Sequence, residues 1–171
     1  MRLTPTSYVV LGLLEQLGGE ATPYELKQAA SGSVGDLWSL HHAQLYSEPE
    51  RLTKAGLLSE QREQTGRRRR RYSLMPEGRQ ALASWRSQPT SAFTELRDLG
   101  LLQLFFGSDP GALARAQLVV HERKLGDYEE LQALSQEAPD SGRRLALEAG
   151  IGHEREWVRF WGELAARPQD G

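Results

Sequence analysis

The chain has no cysteine, only four histidines among 171 residues, and no long hydrophobic run. Without cysteine there is no disulfide, no thiolate metal site and no cysteine nucleophile, which fits a cytoplasmic protein. The longest apolar runs, Tyr8 to Leu14 and Leu101 to Phe106, fall far short of the roughly 20 residues a membrane helix needs. The N-terminus offers a single Arg2 and no small-residue cleavage site after its apolar stretch, which argues against a signal peptide. His41, His42, His121 and His153 and the scattered acids form no constellation of nucleophile, base, carboxylate pair or metal cluster, so no enzyme, cofactor or metal is expected. The pair His41-His42 is no zinc site, since adjacent helical residues point about 100° apart and no third ligand is near.

Hydrophobic residues make up 39% and charged residues 26%, a globular rather than a disordered composition. The net charge of -2 divides unevenly: residues 1–89 carry 12 Lys+Arg against 9 Asp+Glu, a net of +3, and the remainder carries 9 against 14, a net of -5. A mildly basic half that can approach phosphate and an acidic half with a different task imply two parts, 1–89 and 90–171.

Pro5 near a first turn, apolar residues from Tyr8 to Leu17 at helical spacing and the stop Gly18-Gly19 predict a first helix. Thr22-Pro23-Tyr24-Glu25 carries the signature of a capping box for a second, about Pro23 to Ala30, ended by Ser31 to Gly35. A third runs from about Leu40 to Ala55 and stops at Gly56, with Pro49 inside it. Pro49 lacks the amide that would bond to the Leu45 carbonyl, so a bend or a break is expected there. Leu58 to Gln64 and Arg70 to Met75 alternate across Thr65-Gly66, a two-stranded ribbon closed by Pro76-Glu77-Gly78. Arg79 to Arg86 reads as a further helix and Gln88 to Ser91 as a linker.

Beyond the linker, helices are predicted over Phe93 to Phe106, from the cap Asp109-Pro110 through Ala112 to Glu137, and from the break at Ala138 to Ser141 to about Ala166. Leu118, Leu125, Tyr128, Leu131 and Leu134 form an apolar stripe on one long helix; Leu147, Ile151, Val158, Trp161 and Ala165, widened by Trp157, Phe160 and Leu164, form one on the next. Two such helices have little of their own to bury against, so pairing with a second copy is expected.

The five consecutive arginines Arg67 to Arg71 sit at the tip of the ribbon. Taken alone, such a run is a solvated tail, a localisation signal or a nonspecific polyanion patch. Placed after three helices and on a β-ribbon, it resembles the wing of a winged helix-turn-helix. Together with Val10-Leu11-Gly12-Leu13-Leu14, Thr22-Pro23-Tyr24-Glu25-Leu26, Gln44-Leu45-Tyr46, Arg51-Leu52, Gly56-Leu57-Leu58, Arg70-Arg71-Tyr72-Ser73-Leu74 and Pro76-Glu77-Gly78, the order of elements resembles the PadR family of bacterial transcriptional regulators. The latter part, with Glu154 and Trp157, resembles the acidic helical C-terminal domain of the group related to virulence activators. The resemblance implies a mainly α fold with a small two-stranded wing, a DNA-binding domain over 1–89 and a dimerisation and effector domain over 90–171. It implies a homodimeric repressor of an inverted-repeat operator, released by a small aromatic effector. The family commonly has a leucine-like residue where Pro49 stands and a threonine near Met75, and its recognition helix is usually unbroken.

A helix in the major groove reads bases through one face. His41, Gln44 and Ser47, spaced by three, are the expected base contacts, with His41 alternatively an exposed helix-start residue. Ser39, Tyr46, Arg51 and the wing residues Arg67, Arg68, Arg69, Arg70 and Arg71 are the expected backbone contacts; Tyr46 alternatively packs on the first helix. In strand geometry Arg67, Arg69 and Arg71 share one side and Arg68 and Arg70 the other, so not all five meet one duplex. Leu125, Tyr128, Trp157, Phe160 and Trp161 are the expected dimerisation or effector-pocket residues, with Phe105 and Phe106 as further candidates. The competing reading is a module that binds RNA or protein through a nonspecific arginine patch.

Overall fold

The computed structural model of the protein describes residues 2–31, 41–62, 69–136, 138 and 141–167, and the chain divides into two compact units, Met1–Ala92 and Phe93–Gly171. In the first, the described elements run α1 (Pro5–Gln16), β1 (Glu20–Ala21), α2 (Pro23–Ser31), α3 (His42–Lys54), β2 (Leu58–Arg62), β3 (Arg70–Leu74) and α4 (Pro76–Arg86). Helix α1 starts where Thr4 and Ser7 exchange side-chain to backbone hydrogen bonds of 2.8 and 3.4 Å, a reciprocal cap. It ends at Gly18 and Gly19, whose φ of 87° and 98° lie in the left-handed region, with the Gly19 N–H donating to the Leu14 carbonyl at 2.8 Å. The predicted capping box of α2 is present: the Glu25 carboxylate accepts from the Thr22 N–H at 2.7 Å, and the Glu25 N–H donates to Oγ1 of Thr22 at 3.3 Å.

The ribbon has a third strand that the sequence pattern does not announce. Sheet order is β1-β3-β2, antiparallel throughout, with Glu20 opposite Ser73 and Ala21 opposite Tyr72. Two residues are too few to display an alternation. They become a strand because the Gly18-Gly19 turn lays them against β3, where the Leu74 N–H also donates to the Gly19 carbonyl at 2.7 Å. The outer pair runs in register from Leu58 opposite Leu74 to Arg62 opposite Arg70. The predicted Thr65-Gly66 turn and the helix breaker from Gly32 to Gly35 lie outside the described residues.

Helix α3 runs on through Pro49, so of the expected bend or break the break does not occur. Leu45 and Leu52 on either side are 2% and 0% exposed, and this burial holds both turns in place despite the missing amide. Its C-terminus closes at Gly56 (φ 76°), with the Leu57 N–H on the Leu52 carbonyl at 3.0 Å, a Schellman end. Pro76 to Gly78 do not merely close the strand: they are the first turn of α4, capped by Met75. Proline suits a first helical position because its missing amide is unneeded there. The core of this unit is Val10, Leu11, Leu13 and Leu14 of α1 against Leu26, Leu45, Leu52, Leu58, Tyr72, Leu74 and Leu82.

The second unit holds α5 (Leu99–Phe105), α6 (Pro110–Leu134) and α7 (Gly142–Ala165). The helix expected from Phe93 begins only at Leu99, where the Asp98 side chain accepts from the Leu101 N–H at 2.8 Å. Phe93 is 97% exposed, so nothing in its unit rewards an earlier start. Asp109 and Pro110 start α6 as predicted, with the Asp109 side chain accepting from the Ala112 N–H at 2.8 Å. The helix stops at Leu134 rather than Glu137, because Ser135 is already extended. Helices α6 and α7 pack on one another around Ala114, Tyr128, Ile151 and Trp161. No described helix is long and apolar enough to cross a membrane.

Candidate nucleic-acid interface

Helix α3 turns Leu45, Glu48, Pro49 and Leu52 inward and Ala43, Tyr46 and Ser47 outward. At about 100° per residue, the outward face centres on Ala43, Tyr46, Ser47, Glu50 and Lys54. Ser47 lies on it, Gln44 stands at its flank, and His41 is the exposed residue that caps the helix start. Tyr46 is 48% exposed, so of its two expected placements the outward one holds. Gln44 is engaged locally: its Oε1 accepts from the His41 N–H at 3.2 Å. The side chain expected to read bases therefore also closes the first turn. Ser39 lies outside the described residues.

Behind this face sits a polar network that sequence reasoning missed. Glu48 is 9% exposed; it accepts from the Ser7 hydroxyl at 2.7 Å and from the Arg51 guanidinium through both oxygens, at 2.8 and 2.5 Å. Arg51 also donates to Oγ of Ser7 at 2.7 Å and to the Arg2 carbonyl at 3.3 Å. Burial pushes the Glu48 carboxyl up, but the hydrogen bonds from Arg51 and Ser7 outweigh it and hold the group below the usual carboxylate range. Arg51, expected on the DNA backbone, also ties α3 to α1. The i, i+3 spacing of Glu48 and Arg51 was a visible signal; Ser7, 41 residues away, was not.

The base of the wing is electrostatically matched. Arg70 of β3 pairs with Glu50 of α3 and stands 3.8 Å from Glu60 of β2, which holds Arg62 at 2.5 Å. Arg71 pairs with Glu20 of β1 at 3.3 Å. Neighbouring strand residues thus part to different partners, as strand alternation requires. Arg69 is exposed. The Glu25 carboxyl is lowered chiefly by its hydrogen bonds from Thr22, with Arg71 and Arg69 adding through space, which brings the wing root near the start of α2. Burial pushes the Tyr72 phenol up, against the pull of the neighbouring Arg70. Arg67 and Arg68 lie outside the described residues.

In the second unit, Trp161 is fully buried and Tyr128 nearly so, both inside the α6–α7 pair. A Cβ on Gly150 of α7 would meet the Tyr128 ring at 3.1 Å. Trp157 stacks on Trp161 and on His121 at ring separations of 6.2 and 5.6 Å, with Phe160 edge-on to both tryptophans. His121 and Glu154 join the helices through a 2.6 Å contact. Leu125 is half-buried. Phe105 and Phe106 pair with each other and are 82% and 77% exposed. Val119, Val120, Leu131, Leu134 and Leu145 remain 66%, 59%, 49%, 73% and 52% exposed.

Residues 10–84 match the model of the transcriptional regulator PadR-like family, and residues 96–167 match the virulence activator alpha C-terminal model. A negative transcriptional regulator PadR of Bacillus subtilis (strain 168) is 29% identical over 176 residues, spanning 93% of this chain and 94% of that protein. Among solved structures, Bacillus subtilis PadR in complex with operator DNA superposes with a TM-score of 0.79 at 25% identity, over 94% of this chain and 96% of that one. The same regulator with p-coumaric acid gives 0.73 at 25% identity, over 96% and 97%. The Vibrio cholerae virulence activator AphA shares the fold, at 0.66 and 24% identity over 94% and 96%.

Proposed function

Because the chain belongs to the PadR-like family of transcriptional regulators, we propose that it is a homodimeric repressor of double-stranded operator DNA, released by a small aromatic effector. The observation that carries this reading is the pairing, in one packed unit, of an outward α3 face with an arginine-bearing ribbon tied to it through Glu50 and Arg70. The Bacillus subtilis relative in complex with operator DNA, and in complex with p-coumaric acid, supports both partners. Residues 1–89 bind DNA, and residues 90–171 dimerise and take the effector. Ser47, Gln44 and His41 meet base edges, while Tyr46, Ser39 and the wing arginines Arg67, Arg68 and Arg69 neutralise phosphate. Base contacts choose sequence and phosphate contacts supply affinity. The inverted-repeat operator follows from two-fold pairing of the protein. Leu125, Tyr128, Trp157, Phe160 and Trp161 serve the dimer and its effector site. Such a protein works in the cytoplasm, without catalysis.

The test is fluorescence anisotropy on duplex from its own upstream region, with excess unrelated duplex as competitor and at two salt concentrations. Retention against competitor with weakening by salt is the expected result. Equal loss to any competitor would leave a nonspecific polyanion patch. For base reading, Gln44→Ala should flatten the preference among duplexes; a uniform loss of affinity would refute that role.

A further inference from the structure

Of the two ribbon arginines in β3, each has a carboxylate waiting for it. Arg70 lies between Glu50 and Glu60, and Glu60 also holds Arg62, so charges alternate in a chain Glu50, Arg70, Glu60, Arg62. Glu50 is the unusual member. It projects from the same α3 face as Tyr46 and Ser47, and its side chain is 44% exposed, with Arg70 at 39%. A carboxylate on a phosphate-facing surface repels DNA, and one that holds an arginine also removes a phosphate ligand. Both effects act on every duplex alike, because phosphate carries no sequence.

We propose that Glu50 is a specificity-determining residue: by reaching from the α3 face to Arg70 it keeps that guanidinium off phosphate and limits binding to arbitrary DNA. The inference rests on the DNA-binding reading above. The ribbon then divides by function. Its root, Arg70 and Arg71, is neutralised by Glu50, Glu60 and Glu20 and holds the wing against α3 and β1, while Arg69 onward toward the tip supplies phosphate contacts. Arbitrary duplex gains only the tip contacts, whereas an operator adds base contacts along α3. Without the Glu50 brake, the phosphate contribution would grow for all sequences and the margin between operator and background would narrow.

The experiment measures binding to an unrelated duplex by fluorescence anisotropy across a salt series, using the full chain. Each arginine that neutralises a phosphate changes the slope of log K against log salt by about 0.9. Glu50→Gln should tighten binding to unrelated duplex roughly tenfold at low salt and steepen the slope by about one. Arg70→Gln should leave the slope at the wild-type value, and Arg69→Gln should flatten it by about one. Glu77→Gln, which removes an exposed carboxylate from the first turn of α4, should leave the slope unchanged. The exposed positions make these substitutions mild for folding, and circular dichroism melts check that. An unchanged slope for Glu50→Gln, a flattened slope for Arg70→Gln, or equal steepening by Glu77→Gln overturns the proposal while the DNA-binding reading stands. A wild-type chain that binds no duplex overturns both.

Discussion

The two units solve burial differently. The first closes on itself: thirteen buried apolar residues from four helices and all three strands form one cluster, and its buried carboxylate, Glu48, accepts from Ser7 and Arg51. The second buries Ala114, Tyr128, Ile151 and Trp161 but leaves leucines and valines of α6 and α7 half or more exposed. The DNA reading proposed for the first unit needs preorganised side chains, and a closed core supplies them. The apolar surface left exposed on α6 and α7 suits the pairing with a second copy proposed above.

The comparison breaks first at Trp161. With so few fully buried side chains, the second unit should lose about 3–5 kcal/mol on Trp161→Ala, read by denaturant unfolding; a loss below about 1 kcal/mol would mean that this pair rests on other contacts. In the first unit, Glu48→Ala leaves the Ser7 and Arg51 donors without their acceptor. A cost of about 3 kcal/mol is expected, and near-neutrality would show the network to be dispensable. Its pH signature is fixed by sign. The folded Glu48 carboxyl is depressed, so its contribution is present above the unfolded Glu value of about 4.3 and is lost as pH falls through the folded value. The stability gap between wild type and Glu48→Gln should therefore shrink in acid titrations below that range; a constant gap would mean that the carboxylate charge adds nothing.

Smaller effects sharpen the contrast. A Cβ at Gly78 would lie 2.4 Å from the Leu57 carbonyl and 2.8 Å from Cδ1 of Leu74, so Gly78→Ala should cost about 1–3 kcal/mol by overpacking, seen as a lower thermal midpoint. Leu134→Ser, at a residue 73% exposed, should change the folding of its own chain by less than about 0.5 kcal/mol yet weaken self-association in sedimentation equilibrium. Unchanged association would place the dimer contact elsewhere than the end of α6.

Much of the fold was legible because its signals are local. The caps at Thr22 and Asp109, and the stops at Gly18-Gly19 and Gly56, act within one helical turn, and a residue pattern of that length states them outright. Other readings failed for lack of tertiary information. Phe93 and Leu96 have helical spacing but no surface to bury against, so Asp98 takes the helix start. Pro49 carries a local instruction to bend or break the helix, and with its neighbours buried the helix is not broken. On α3, spacing by three grouped His41, Gln44 and Ser47, whereas the centre of the outward face depends on which residues the rest of the unit covers.

By itself, then, the sequence determined the order of elements, the wing with its arginines and the resemblance that leads to DNA. Only the tertiary structure decided what those arginines and acids do. Glu50 meets Arg70 across 20 residues, Ser7 meets Glu48 across 41, and Arg71 meets Glu20 across 51. Helix and turn propensities are properties of a few neighbouring residues. A charge becomes a phosphate ligand, a brake or a brace according to the partner that packing brings within about 4 Å.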